Sequence, residues 1–198
     1  MRKATGIALA AVALSVIAGL AVSAALAAGG GGMKKAANPR ARVLAGVNFV
    51  STCTFVHFLP DDPIVYPGQP GKSHDHTFVG NTSTNASSTL ASLRAAGTTC
   101  RLQADKAAYW MPTLIVDGQP VTPLGATIYY RRSTTARVHA FPAGLEMIAG
   151  DSKAITPQDL KITFWNCGVQ SGIAQSSAPP GCPNSKGDEL RLQVNFPS

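Results

Sequence analysis

The side chains with the most chemistry to offer sit in and just before the stretch Asp61 to Asn81, DDPIVYPGQPGKSHDHTFVGN. His74 and His76 flank Asp75, a β-prone Thr77-Phe78-Val79 follows, and His57 lies just upstream. Side chains two apart on a strand project from one face, so His74 and His76 can aim at one point. Two imidazoles on one face can chelate a metal, or hold a proton donor beside an acceptor. Zinc or copper suits imidazole ligands, which makes a divalent metal the expected cofactor. A metal site needs a third ligand or an open position, and His57 and the nearby aspartates are the local candidates. Asp62, in Asp-Asp-Pro, would orient one histidine through its ring N–H. The plainer alternatives are that one imidazole faces solvent while the other bonds a carbonyl, and that the aspartates accept backbone N–H groups in a turn. His139, between Val138 and Ala140, reads as an ordinary strand residue.

Aromatic clusters supply a second kind of chemistry. Tyr109-Trp110, Tyr129-Tyr130 with Arg131-Arg132, and Trp165 could stack on sugar faces, while arginine holds a carboxylate or sulfate. Tyr109, Tyr130 and Arg131 are therefore the candidate substrate contacts. Asn81 to Asn85 is rich in hydroxyls and amides, suited to sugar contacts or to a loop, and Asn81 and Asn85 both match the glycosylation pattern. No GxSxG, HExxH or phosphate-cradling loop occurs, so the usual support for nucleophilic hydrolase and nucleotide functions is missing.

These residues need a scaffold, and the pattern describes one. Leu190, Leu192, Val194 and Phe196 alternate with Glu189, Arg191, Gln193 and Asn195, a half-buried strand. Val43 to Val50, Thr77 to Gly80, Trp110 to Val116, Ala126 to Arg131, Val138 to Phe141 and Lys161 to Trp165 are further strand candidates. Asp117-Gly118 signals a tight turn. One short helix is expected over 87–96, capped by Ser or Asn and ended by Gly97. Pro157 to Leu160 is expected to make a single turn. Many short strands joined by Gly/Pro turns predict a mainly β, antiparallel sandwich or jelly roll.

The start of the chain reads differently. Arg2 and Lys3 precede an apolar run from Ala4 to Ala28 ending in Ala25-Leu26-Ala27, the form of a secretory signal peptide over residues 1–27. Residues 28–42 follow as a flexible Gly and basic stem, and 43–198 form a single β-rich domain. An exported chain with no membrane segment after signal cleavage is expected outside the cell. The net charge of +7 misleads: six of the 17 basic residues lie in the signal and stem, leaving 11 against 10 acidic residues. With the domain nearly neutral and lacking a basic, aromatic RNA signature, nucleic acid is not an expected partner. Four cysteines in such a chain favour two disulfides. Of the three pairings, Cys53–Cys100 with Cys167–Cys182 is expected, since the second would staple a polar Gly/Ser/Pro loop.

Cys53, His57, DDPIVYPGQPGKSHDHTFVGN, STNASSTLASLRAAGTTC, AYWMPTL, IYYR, FPAGLEMIAGD and the Trp165-to-Cys167 segment together resemble the secreted domains called domain of unknown function 1996. Such domains occur in bacteria and fungi, often beside wall- or sugar-binding modules, and the resemblance runs in order from about Val43 to Pro197. It implies that His57, His74 and His76, which fall on the family's recurrent histidines, share a site, and it implies no particular reaction. Family members continue past the equivalent of Asn195-Phe196-Pro197 with a Cys-Trp-Asp-Gly segment, so the resemblance implies that this chain lacks the family's C-terminal portion. Two functions follow as expectations. The first is a metal-assisted hydrolase or lyase of extracellular or cell-wall polysaccharide, with His57, His74 and His76 as metal ligands or proton carriers and Asp62 orienting one of them. The second is a non-catalytic wall- or carbohydrate-binding module whose histidines are structural.

Overall fold

The computed structural model describes residues 46–132, 137–168, 171–183 and 189–196. The expected signal peptide and stem lie outside the described residues. Among the described residues, nine strands and one short helix follow in order: β1 (Gly46–Cys53), β2 (Phe55–Leu59), β3 (His76–Gly80), α1 (Leu90–Ala95), β4 (Ala108–Pro112), β5 (Ile115–Val116), β6 (Gln119–Pro120), β7 (Ala126–Arg132), β8 (Thr163–Asn166) and β9 (Arg191–Val194). Every pairing is antiparallel. The mainly β architecture with one short helix is the one expected. The strands fall into four small sheets, β1-β7, β2-β3-β4, β5-β6 and β8-β9, and none closes into the sandwich or jelly roll that the pattern suggested.

Local chemistry explains the boundaries. α1 begins later than expected because Thr89 caps it: its hydroxyl accepts the Ser92 N–H at 3.1 Å while the Ser92 hydroxyl accepts the Thr89 N–H at 2.9 Å. Asp117 and Gly118 both take positive φ, 52° and 77°, the turn that lets β5 fold back onto β6. The run Trp110 to Val116 is not one strand. Thr113 N–H still meets the carbonyl of Asp75 at 3.0 Å, the last bond in register with β3, and the chain then leaves that sheet, the Leu114 carbonyl accepting from Val121 at 2.9 Å. Val138 to Phe141 forms no strand; these residues are exposed and pair with no strand among the described residues. The single turn expected at Pro157 to Leu160 sits slightly later, closed by Ile162 N–H to the carbonyl of Asp159 at 2.9 Å.

The core lies where β1, β3, β4 and β7 meet. Buried Cys53, Val79 and Cys100 pack with Tyr109, Met111, Ala126 and Ile128. The Cys53–Cys100 and Cys167–Cys182 disulfides are the expected pairs. Beside the first, Gly80 has φ +85°, and a Cβ there would lie 3.1 Å from the Ala107 carbonyl and 3.2 Å from the Cys100 sulfur. Only glycine permits β3 to pass so close to the bridge.

Candidate functional site

The three-stranded sheet positions the histidines. Across it, His57 pairs with Phe78 and Phe78 with Trp110, while Leu59 pairs with His76 and His76 with Pro112. Cross-strand partners share a face, so His57, His76, Phe78 and Trp110 project from one side. His76 and His57 stand on neighbouring strands but not opposite one another. Phe78 takes that place: its ring centroid is 5.0 Å from His57 and 6.2 Å from His76, and it stacks on Trp110 at 6.0 Å.

Two loops, 60–75 and 81–89, are tied down over this face, and Asp61 holds both. Its Oδ1 accepts the Gly71 N–H at 2.8 Å and its Oδ2 the Ala86 N–H at 2.9 Å. Its carbonyl accepts the Nδ1–H of His76 at 2.8 Å. The Nε2–H of His57 donates to the carbonyl of Thr84 at 2.9 Å. Asn81, with no exposed surface, completes the framework: its Nδ2 donates to the carbonyls of Leu93 and Lys106, both at 2.8 Å. Asp61, expected only as one of several carboxylates near the histidines, and Asn81, expected as a sugar contact or loop residue, are the organising residues. The signal for Asp61 was the Asp-Asp-Pro turn, which does not say which carboxylate reaches across the fold.

Asp62 is placed differently from its expected role. Its Oδ1 accepts the N–H groups of Ile64 and Val65, both at 2.9 Å, so its carboxylate closes its own turn. Its charge still favours protonation of His76 at longer range, as does that of Asp75. Burial acts the other way and wins: desolvation holds the His76 imidazole below its ordinary value of 6.5. The Asp61 carbonyl opposes that shift, and His74 adds to it.

His74 is exposed, and its ring centroid lies 4.4 Å from that of His76. The structure therefore brings His74 and His76 together and leaves His57 apart. Among the described residues, the only three potential ligand groups within 4.8 Å of one another are Cys53, Cys100 and Asp105, and both sulfurs there belong to a disulfide.

The expected substrate contacts divide as well. Tyr109 pairs with Val79 and so lies on the opposite face of the sheet from His76. Its hydroxyl donates to the Asp105 carboxylate at 3.0 Å and lies 2.8 Å from the Tyr130 hydroxyl. Burial first, and then the bond to Tyr130, push the Tyr109 hydroxyl far above its ordinary value of 10.0, so it stays a neutral donor. Tyr109 and Tyr130 thus tie β4 to β7. Arg131 follows Tyr130 in β7 and projects outward, its guanidinium 5.4 Å over the exposed Tyr129 ring. His139 lies on an exposed loop.

The profile of the Domain of unknown function (DUF1996) family matches residues 62–198. The chain belongs to that family. No curated protein and no solved structure matches it. The DUF1996 match takes in Asp62, His74, His76 and the Tyr109–Tyr130 pair, while Cys53, His57 and Asp61 precede it. Chemically, the arrangement offers one imidazole pair, exposed His74 against buried His76, two loops anchored by buried polar groups, and a separate outward surface on β7. Among the described residues, no helix is long and apolar enough to cross a membrane.

Proposed function

We propose that this domain is a non-catalytic module that binds extracellular or cell-wall polysaccharide, with His57 and His76 serving as struts. The carrying observation is that each of these imidazoles bonds a loop carbonyl, Thr84 and Asp61, while the Asp62 carboxylate is occupied by its own turn. Of the constellation a hydrolase or lyase would need, two of the three histidines and Asp62 are engaged in holding loops. Tyr129 supports the polysaccharide part. Tyr129 is 55% exposed, its ring lies under the Arg131 guanidinium, and it stands opposite the exposed Val50 on β1. A flat ring of this kind stacks on a pyranose, and Arg131 beside it suits a carboxylate or sulfate on the sugar. An apolar leader over Ala4 to Ala28 and two formed disulfides support export.

The test is a panel of wall polysaccharides, scored for retention of the full chain and for release of reducing or unsaturated ends, with and without chelator. Retention without product, weakened about tenfold by Tyr129→Ala, is the expected result. Product release that chelator abolishes would overturn it in favour of the metal-assisted hydrolase or lyase. That second function has one observation in its favour, the contact of exposed His74 with His76.

A further inference from the structure

The contact between His74 and His76 has a chemistry of its own, independent of whether the domain binds a polysaccharide. We propose that these two side chains form a surface site for one divalent transition-metal ion of the imidazole-binding kind, copper(II) or zinc, and that His57 is not a ligand.

His76 is held in one tautomer. Its Nδ1 lies 2.8 Å from the Asp61 carbonyl, which can only accept, so Nδ1 carries the proton and Nε2 carries the lone pair. This is how metal-binding histidines are commonly held: the second ring nitrogen donates to a carbonyl or carboxylate, which sets the ring's orientation and strengthens the ligand. The carbonyl is itself anchored, because the Asp61 carboxylate is tied to Gly71 and Ala86. Both hydrogen-bond contacts of the His76 ring fall on Nδ1, to the Asp61 carbonyl and the Ser73 hydroxyl, so Nε2 keeps its lone pair for a ligand, and exposed His74 packs against the same ring.

His74 supplies the second ligand from the solvent side. Its ring centroid is 4.4 Å from that of His76, with the planes at 54°. Metal–nitrogen bonds of about 2.0–2.1 Å place two imidazoles in adjacent positions with centroids roughly 4.5–5 Å apart. The pair thus needs a side-chain adjustment and no movement of the strand. Water would fill the remaining positions. His57 stands across the ladder from Phe78, whose ring lies 5.0 Å from its own, and among the described residues it joins no group of three potential ligands within 4.8 Å of one another.

The experiment is calorimetric titration of the full chain with copper(II) or zinc alone, near neutral pH, with electron paramagnetic resonance of the copper form. The wild type should bind one ion and show two imidazole nitrogens in the spectrum. His74→Ala should bind about tenfold more weakly or worse and show one nitrogen. Because His74 is exposed, that variant should unfold at the wild-type denaturant concentration. His139→Ala, another exposed histidine, should bind as the wild type does. Failure of the wild type to bind either ion would overturn the proposal, as would equal affinity in His74→Ala or a wild-type spectrum with a single imidazole nitrogen.

Discussion

Replacing Asp61 tests the framework that places the histidines. Asp61 is 5% exposed, and its hydrogen bonds to Gly71, His76 and Ala86 reach residues 10, 15 and 25 positions away. In Asp61→Asn one carboxylate oxygen becomes an NH2 group facing a backbone N–H, so one charge-assisted bond is lost and one buried donor is orphaned. A hydrogen bond to a charged group contributes about 1.5–3 kcal/mol, which puts this variant about 2 kcal/mol below wild type. Asp61→Ala strands both N–H groups, of Gly71 and Ala86, and should cost about 3–5 kcal/mol. Asp62→Ala is the matched control. Its bonds go only two and three residues along the chain, and neutral-scale losses of about 1 kcal/mol are expected for so local a turn. Urea unfolding at constant pH measures all three, with the slope checked for constancy. Asp61 is not the anchor described if Asp61→Asn lies within about 0.5 kcal/mol of wild type, or if Asp62→Ala costs as much as Asp61→Ala.

Three further outcomes are expected. Chain-entropy scaling gives about 4 kcal/mol for the Cys53–Cys100 bridge and about 3 kcal/mol for Cys167–Cys182, from sequence separations of 47 and 15. Paired Cys→Ala variants in guanidinium should lose stability in that order, and the reverse order would contradict it. His76 is held below 6.5 in the fold, so the unfolded chain takes up its proton first. Its contribution is present above 6.5 and is lost as pH falls toward the folded value; urea midpoints across that range should drop in wild type and flatten in His76→Gln. Asn81→Ala strands the Leu93 and Lys106 carbonyls and should cost about 2–4 kcal/mol in the same assay.

Elements specified by their own residues were legible in the sequence. Alternation marked β9, the Asp117-Gly118 pair marked the β5–β6 turn, and β-branched and aromatic residues marked β7. β2 was missed because Phe55 to Leu59 is half-buried throughout and only Thr54 separates it from β1. No period shows there, since the sheet changes partner within one residue. The candidate site was legible as a set of residue types and not as an arrangement. The two-residue spacing suggested that His74 and His76 meet, and they do, with His74 in the loop just before β3 and not on the strand. Whether His57 joined them depended on register, and register put Phe78 opposite it. Neighbouring aspartates likewise look alike in sequence, and only the long-range amides of Gly71 and Ala86 distinguish Asp61 from Asp62.

The order of the cysteines bears on how the chain matures. The bridges join the first cysteine to the second and the third to the fourth, so neither bridge straddles the other. A chain threaded N-terminus first into an oxidising compartment would expose Cys53 and Cys100 as a pair before Cys167 and Cys182 emerge. Simple oxidation in order of appearance then yields the native bonds, with no thiol exchange needed to correct them. A catalyst that only introduces disulfides should suffice for this protein, and one that reshuffles them should add little to its yield.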